Sequence, residues 1–224
     1  MVAGYTAAQV RAAEAPHLER GEPLMAMAAA ALAEAVREEL VGQTGGVVLL
    51  VGSGDNGGDA LFAGAELAAE GVPVVIVPTA STMHETGRRA ALEAGASERA
   101  WHPDPDGVRA AVLAAAVVVD GILGTGASGA LRGTAKEIVA GIRPLLEAGA
   151  RPRVVACDLP SGIDPDDGRV DAPEVLRADT TVTFGAAKAG LLIEPGSDYV
   201  GRLRVVDLGL APELAVYTPA VERG

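Results

Sequence analysis

Gly-Val-Val-Leu-Leu-Val-Gly-Ser-Gly-Asp-Asn-Gly-Gly-Asp, residues 46–59, is the stretch of sequence that decides the fold. Its first six residues form a continuous apolar run, which is typical of a β-strand buried on both faces. The glycine-rich residues 52–59 then predict a turn into a helix that begins near Asp59. Here Gly52 and Gly54 would allow positive φ and a close approach of a ligand. A buried strand that leads directly into a helix is the repeating unit of an α/β domain.

Strands and helices alternate on the C-terminal side of this stretch. Strands are predicted at residues 74–77, 116–119, 154–157, 180–184 and 203–206, with a short edge strand near 100–101. Helices are predicted at about residues 7–17, 24–40, 59–70, 83–94, 105–115 and 134–148. The alternation predicts a three-layer α/β/α Rossmann-like domain with a mainly parallel central sheet. We assign this domain to residues 1–211 and treat residues 212–224, which lack periodicity, as a C-terminal tail or linker.

Composition and charge exclude several classes of protein. Of the 224 residues, 49% are apolar, which supplies a full core and excludes intrinsic disorder for most of the chain. The net charge of -12 disfavours binding to nucleic acid or to an anionic membrane surface. Neither a signal peptide nor an apolar run of membrane-spanning length is visible. The single cysteine excludes an intrachain disulfide, and we expect a cytoplasmic protein.

Glycines and polar side chains follow three of the predicted strands. The glycine-rich turn follows the first, Asp120 ends the strand at 116–119, and Asp158 follows the strand at 154–157. Because ligands bind outside the carboxyl ends of parallel strands, these positions predict a small-molecule site. The bare amides of Gly57 and Gly58 suit a phosphate, although a tight turn without ligand is the alternative. An ordinary dehydrogenase or P-loop enzyme is disfavoured, since neither fingerprint is present.

The oxygen-bearing side chains of these strand ends suit a hard cation. Asn56, Asp120 and Ser161 together offer an amide, a carboxylate and a hydroxyl oxygen. Alternatively, Asp120 caps a helix or pairs with an arginine such as Arg132. No cluster of cysteines and histidines with transition-metal spacing is present.

Two further side chains have open interpretations. Asp158 is either a general acid/base at the edge of the site or a residue that caps a turn. Lys188 either contacts a ligand phosphate or is an exposed lysine of a loop. Cys157 is expected to be a buried strand residue rather than a nucleophile, and no histidine lies at a strand end.

Taken together, these motifs resemble the YjeF N-terminal domain family, the NAD(P)HX epimerases. The resemblance covers residues 6–210 and rests on the Gly-Ser-Gly-Asp-Asn-Gly-Gly-Asp stretch at 52–59 and the Cys-Asp-Leu-Pro-Ser-Gly-Ile-Asp stretch at 157–164. It also rests on Asp120 with Gly124-Thr-Gly126 and Leu131-Arg-Gly133, on residues 181–188, and on residues 205–209. Asp55 departs from the family pattern, which usually has asparagine there. The resemblance implies interconversion of the two C6 epimers of hydrated NADH and NADPH, an isomerase activity in nicotinamide nucleotide repair.

The resemblance also implies a role for each matched residue. Asp158 would be catalytic, and a potassium ion would be held by Asn56, Asp120 and Ser161. The substrate would be bound by Asp55, Asn56, Gly57, Gly58, Asp59, Gly124, Thr125, Gly126, Ala127, Ser128, Gly129, Ala130 and Asp158.

Partners follow from the same resemblance. It implies a homodimer, for which the alanine-rich helix at 24–40 is a candidate interface, with core packing as the alternative. It implies an ADP- or ATP-dependent NAD(P)H-hydrate dehydratase as functional partner, fused to the epimerase in some proteins. The competing interpretations are a non-catalytic nucleotide-binding or scaffold module and an ordinary NAD-linked oxidoreductase.

Overall fold

The computed structural model describes residues 2–127, 129–147 and 152–223. Its strands are β1 (Val2–Tyr5), β2 (Gly46–Val51), β3 (Val74–Pro78), β4 (Ser97–Glu98), β5 (Ala115–Gly121), β6 (Arg153–Cys157), β7 (Thr180–Phe184), β8 (Ala187–Lys188), β9 (Arg202–Val206) and β10 (Val221–Arg223). Seven of them form a parallel sheet in the order β4-β3-β2-β5-β6-β7-β9. The continuous apolar runs of β2 and β5 occupy its centre, where both faces are covered.

Helices cover both faces of this sheet. They are α1 (Ala7–Glu19), α2 (Leu24–Leu40), α3 (Asp55–Ala69), α4 (Glu85–Glu93), α5 (Pro105–Ala114), α6 (Gly133–Glu147) and the short α7 (Ala211–Leu214). Alternate residues of β2 point to opposite layers: Leu49 packs in the cluster with α2 and α3, and Leu50 in the cluster with α5 and α6. The predicted three-layer α/β/α class with a mainly parallel sheet is therefore confirmed. Within the described residues, every helix is too short or too polar to cross a membrane.

The strand order places a ligand crevice between β2 and β5. From β2 the chain moves outward through β3 to β4, then returns to β5 on the other side of β2. Such a reversal separates the two connecting loops at the carboxyl ends of the neighbouring strands and leaves a crevice between them. The loops that follow β2 and β5 therefore form its walls.

Two predicted boundaries are wrong. Helix α3 begins at Asp55 rather than near Asp59, with Gly54 as its N-cap, so the glycine-rich stretch is mostly the first turn of a helix. Its glycines obscure the helical pattern, because glycine is a poor helix former in isolation. The edge strand β4 covers Ser97–Glu98 rather than residues 100–101, and its two exposed residues give no alternation to read.

Tight packing explains two of the glycines in this stretch. A Cβ on Gly52 would lie 1.9 Å from the carbonyl oxygen of Ile122, and one on Gly57 would lie 2.2 Å from the carbonyl oxygen of Gly52. The expected positive φ is absent: Gly54 has φ of -93°, and Gly52 is not among the described residues with positive φ. Close approach of the β2, α3 and β5 backbones, rather than an unusual turn, requires glycine here.

Replacing Gly52 by alanine should therefore strain the junction of β2 and β5. We expect the free energy of unfolding to fall by about 1–3 kcal/mol, which is typical of overpacking a rigid interior. Urea denaturation of Gly52→Ala and of Gly126→Ala makes a matched comparison. A Cβ on Gly126 meets nothing described within 4 Å, so that variant should stay within about 0.5 kcal/mol of the parent. Equal stability of the two variants would contradict the packing argument.

A second, three-stranded sheet was not predicted. Strand β1 pairs in parallel with β8 and antiparallel with β10, so residues from both ends of the chain meet in this sheet, where Tyr5 of β1 is paired with Lys188 of β8. The short helix α7 and strand β10 lie in the segment that we treated as a tail or linker. The division at residue 211 stays a prediction, but residues 212–214 and 221–223 of this segment have regular structure.

Candidate functional site

A cavity of about 430 Å³ opens at the carboxyl ends of β2, β5 and β6. We call it the carboxylate cavity, because four acidic side chains line it: Glu14, Asp55, Asp59 and Asp158. The remaining lining residues are Arg11, Ser53, Gly54, Asn56, Ile122, Leu123, Gly124, Thr125, Gly126, Ala127, Phe184 and Lys188. Its position is the one that the strand order predicts for a ligand site.

The N-terminus of α3 forms one wall of this cavity. Among the described residues, no side chain caps α3 at Gly54, which leaves the first amides of the helix available to an acceptor. Asp55 occupies the first turn and is exposed, as suits a carboxylate at the positive end of a helix dipole. The amide of Gly58 is not bare as predicted, since it donates to the carbonyl of Gly54 at 3.2 Å.

Asn56, Asp120 and Ser161 come together behind the loop that follows β5. The Ser161 hydroxyl donates to Asp120 Oδ1 at 2.6 Å, and the Ser161 amide donates to Asp120 Oδ2 at 2.8 Å. The backbone of Leu123 joins the third member: its amide donates to Ser161 Oγ at 2.9 Å, and its carbonyl accepts from Asn56 Nδ2 at 3.0 Å. Residues from three strand ends therefore meet around the backbone of one residue, Leu123.

The chemistry of this group fits a cation. Asn56 Oδ1 is buried and has no hydrogen-bond donor among the described residues, because Nδ2 is held by the Leu123 carbonyl. Asp120 is 1% exposed, and burial raises its pKa despite its bonds from Ser161 and Ile122. The alternative pairing with Arg132 is wrong, since Asp120 accepts only from those neighbours among the described residues. An orphaned acceptor beside a buried carboxylate that no base compensates is an arrangement that a hard cation would satisfy.

Asp158 projects into the cavity from a strained backbone position. It directly follows β6 with φ of 67°, in the left-handed region that residues other than glycine rarely adopt. One carboxylate oxygen accepts from the Thr125 amide at 3.0 Å and from the Thr125 hydroxyl. The other accepts from Thr183 Oγ1 at 3.2 Å and from Lys188. Strain of this kind costs about 1–3 kcal/mol and is concentrated at functional sites.

Lys188 is a site residue whose environment was not predicted. It belongs to β8, is 1% exposed, and lies 2.5 Å from Asp158 through its Nζ atom. Both earlier interpretations, a phosphate contact and an exposed loop lysine, missed this buried ion pair. Burial alone would raise the pKa of Asp158, but the charge and hydrogen bond of Lys188, together with Thr125, bring that pKa below its ordinary value. Asp158 is therefore ionised at neutral pH.

Asp59 has the opposite protonation state. It lies on α3 at 8% exposure, lines the same cavity, and has no hydrogen bond from the described part of the protein. Burial, and then the negative charges of Asp158, Asp55 and Glu14, raise its pKa to about 8. Two carboxyl groups of one cavity, one ionised and one protonated at neutral pH, are a common acid–base arrangement.

Helix α1 contributes two lining residues that the sequence did not reveal. Arg11 reaches across the cavity and donates to the Thr125 carbonyl at 2.9 Å. Glu14 lies one turn further along, and burial raises its pKa. Their only sequence signal is a three-residue spacing that places them on one face of a helix.

Comparison with known proteins identifies the family of this chain. A model of the family described as YjeF-related protein N-terminus matches residues 21–190. The chain belongs to this family. An NAD(P)H-hydrate epimerase of Clavibacter michiganensis subsp. michiganensis is 49% identical over 221 residues, which is 97% of this chain and 94% of the relative. An NAD(P)H-hydrate epimerase of Microbacterium testaceum is also 49% identical, over 98% of this chain and 84% of the relative.

More distant proteins also match. The bifunctional NAD(P)H-hydrate repair enzyme Nnr of Mycobacterium tuberculosis is 37% identical over 92% of this chain, which corresponds to 41% of that protein. The crystal structure of the yeast protein ynu0 superimposes with a TM-score of 0.76 over 100% of this chain and 96% of the yeast chain. At 18% identity, that likeness supports the fold alone.

The structure brings together most of the residues that the YjeF resemblance marks as substrate-binding. The lining of the carboxylate cavity includes Asp55, Asn56, Asp59, Gly124, Thr125, Gly126, Ala127 and Asp158. Gly57 and Gly58 lie inside the first turns of α3, and Gly129 and Ala130 lie outside the lining of this cavity. Ser128 falls outside the described residues. The contacts of all of these residues with substrate stay predictions.

Proposed function

We propose that this chain is an NAD(P)H-hydrate epimerase that interconverts the R and S forms of hydrated NADH and NADPH at C6. Relatives about half identical over nearly its whole length carry this name. The observation that carries the proposal is that two buried carboxyl groups line one cavity, Asp158 in an ion pair with Lys188 and Asp59 without a hydrogen bond from the described residues. Acid–base chemistry of this kind is what the epimerisation requires.

The substrate itself suggests the reaction. Hydration places a hydroxyl on C6, directly beside the ring nitrogen. Breaking the C6–O bond leaves an iminium cation that the nitrogen lone pair stabilises. The departing oxygen needs a proton for this bond to break. Water can then add to either face of C6 and lose a proton. One water leaves and one enters, so epimerisation consumes no co-substrate.

Asp59 and Asp158 divide the two proton transfers. Asp59, which holds a proton at neutral pH, donates it to the departing hydroxyl. Asp158, ionised beside Lys188, accepts a proton from the incoming water on the opposite face, and its charge stabilises the iminium. In the reverse direction the two carboxyl groups exchange roles, as microscopic reversibility demands. After a forward turnover, Asp158 releases its proton to solvent and Asp59 takes one up, which restores the starting protonation states.

The acidic character of the cavity determines where the phosphates bind. The first amides of α3, which no side chain of the described residues caps, offer backbone donors for the phosphates, and in the loop at residues 124–127 the Gly126 amide donates to no described acceptor. Arg11, which spans the cavity to Thr125, adds a positive charge at this side. The pyrophosphate of the substrate lies along this loop in our proposal.

Potassium is the cation that we propose for Asn56, Asp120 and Ser161. It would supply a fixed positive charge that neutralises Asp120 and holds the loop after β5 against α3. The orphaned Asn56 Oδ1 supports this assignment. We expect potassium chloride to raise the melting temperature of the protein above its value in tetramethylammonium chloride of equal ionic strength. If the potassium concentration is 100 times the dissociation constant, the gain is about 2.7 kcal/mol.

The variant Asp120→Asn should lose this potassium-dependent rise. Because the two salts are compared within each variant, any general loss of stability cancels. The matched control is Asp106→Asn, whose side chain is 93% exposed on α5 and should leave the rise unchanged. Identical melting temperatures of the parent in the two salts would refute the cation site.

We extend the proposal to a homodimer that is located in the cytoplasm and works together with a dehydratase. The buried stripe of α2 packs in the core, and its outer face carries Met27 at 40% exposure, which a second copy of the chain could cover. The single cysteine, Cys157, is buried and has no second cysteine in the chain to form a disulfide with, which suits the reducing cytoplasm. The epimer that the dehydratase accepts passes to that enzyme, which bifunctional relatives such as the Mycobacterium tuberculosis enzyme suggest can be joined to this domain.

An assay from one purified epimer tests the proposed function. Chromatographic separation of the two hydrate epimers over time should show that the protein accelerates their approach to equilibrium. Progress at the buffer rate would contradict the proposal and favour the non-catalytic nucleotide-binding module.

A further inference from the structure

A second cavity, of about 290 Å³, lies beside the carboxylate cavity. We call it the arginine cavity, after Arg132. The two cavities share four lining residues, Ser53, Ile122, Leu123 and Ala127. The loop after β5 is therefore a common wall, and a ligand that crosses it would occupy both cavities.

The two cavities differ in charge. Four carboxyl groups and two basic side chains, those of Arg11 and Lys188, line the first, whereas Arg132 is the charged residue in the lining of the second. Within the described part of the chain, the side chain of Arg132 forms neither a hydrogen bond nor an ion pair, and its backbone carbonyl accepts from the Lys136 amide at 3.3 Å. An exposed arginine with all of its donors free is suited to bind a phosphate in bidentate fashion.

The other walls of the arginine cavity suit an adenosine. Small and apolar side chains dominate them, among them Ala80, Ala130, Leu131 and Ala135. The Thr79 hydroxyl is already used, since it donates to the Val51 carbonyl at 2.9 Å. Apolar walls with few free polar groups are typical of a pocket for a flat aromatic base.

The position of Arg132 indicates which phosphate of a dinucleotide it can contact. The pyrophosphate joins the two halves, so it lies at the shared loop when the hydrated ring faces Asp158. Arg132 lines only the second cavity and not the shared wall. A phosphate that reaches it must belong to the far, adenosine half of the ligand.

We infer that the arginine cavity binds the adenosine half of the substrate and that Arg132 recognises the 2′-phosphate that distinguishes NADPHX from NADHX. This inference rests on the proposed function, because it takes the hydrated dinucleotide as substrate. It assigns to the Leu131-Arg-Gly133 motif a role in substrate preference that the epimerisation chemistry does not require.

Calorimetric titration with nucleotide fragments tests the inference without relying on catalysis. The probes are adenosine 2′,5′-bisphosphate, which carries the 2′-phosphate, and AMP, which lacks it. In Arg132→Gln, binding of the bisphosphate should weaken about tenfold or more, the usual value of a charge-assisted contact. Binding of AMP should weaken by less than about threefold. The control Arg89→Gln, which replaces an exposed arginine of α4, should bind both probes as the parent does.

Three outcomes would overturn the inference: no binding of the bisphosphate by the parent protein, equal affinity of the parent and Arg132→Gln, or equal weakening of both probes. None of them depends on the epimerase assay, so a failure of the inference is distinct from a failure of the proposed function. In a catalytically active preparation, Arg132→Gln should also raise KM for NADPHX more than KM for NADHX.

Discussion

Replacing Asp158 by asparagine should lower the rate of epimerisation about 10²–10⁴-fold, the usual contribution of a positioned general base. Asparagine tolerates the left-handed backbone at this position, where φ is 67°, so the turn after β6 can be retained. The amide cannot accept a proton from water, and it no longer stabilises a cation at C6. The measurement is the initial rate of epimer interconversion, normalised to folded protein by circular dichroism.

Because Asp158 forms an ion pair with Lys188, this experiment also needs a variant that removes both charges. Asp158→Asn leaves a buried ammonium group without its partner, so we expect a loss of stability as well as of activity. The double variant Asp158→Asn/Lys188→Met removes both charges and should recover stability while remaining inactive. Asp106→Asn, on the exposed face of α5, should keep full activity. Near-parental activity of either Asp158 variant would disprove the assignment of the base.

Replacing Lys188 alone by methionine should cost about 3–5 kcal/mol of unfolding free energy, the typical effect of removing one partner of a buried ion pair. The carboxylate of Asp158 would remain in the interior with only hydroxyl and amide donors. Urea denaturation provides the measurement, and Lys136→Met provides the control. The ion pair of Lys136 with Glu174 spans 3.8 Å and Lys136 is half exposed, so its removal should change stability by at most about 1 kcal/mol.

The same pair predicts a dependence of stability on pH. The pKa of Asp158 is lower in the folded protein than its ordinary value of 3.8, so its ionisation stabilises the fold above that pH. This contribution is lost as the pH falls through the folded pKa. The difference in stability between the parent and Asp158→Asn/Lys188→Met should therefore change below about pH 4 and stay constant between about pH 5 and 7. A difference that stays constant down to pH 2 would contradict the lowered pKa of Asp158 in the folded protein.

The central layer could be predicted from the sequence because its signals are local and strong. Strand β2 is a continuous apolar run, and α2 repeats its buried residues at helical spacing. The sheet formed by β1, β8 and β10 could not be predicted. Its strands have two to four residues each, and they pair across almost the whole length of the chain.

The candidate site likewise has some residues that the sequence predicts and others that it does not. Asn56, Asp120 and Asp158 could be predicted because parallel strands place their carboxyl ends at one rim of the sheet. The burial of Lys188 depends on β1, and the contributions of Arg11 and Glu14 depend on how α1 packs, which are tertiary facts. The protonation states of Asp59 and Asp158 depend on burial and on several charges from different elements, which no local pattern records.

Epimerisation of one pure NADHX epimer in ¹⁸O-labelled water tests most directly whether this site exchanges the C6 hydroxyl with solvent. Mass spectrometry of the hydrate would follow label entry while chromatography follows the epimer ratio, with protein-free buffer as the reference. We predict that the protein accelerates epimerisation and that label enters C6 at the rate of epimerisation. Conversion at the rate of the buffer, or accelerated epimerisation that leaves the C6 oxygen unlabelled, would contradict the proposed function or its mechanism, respectively.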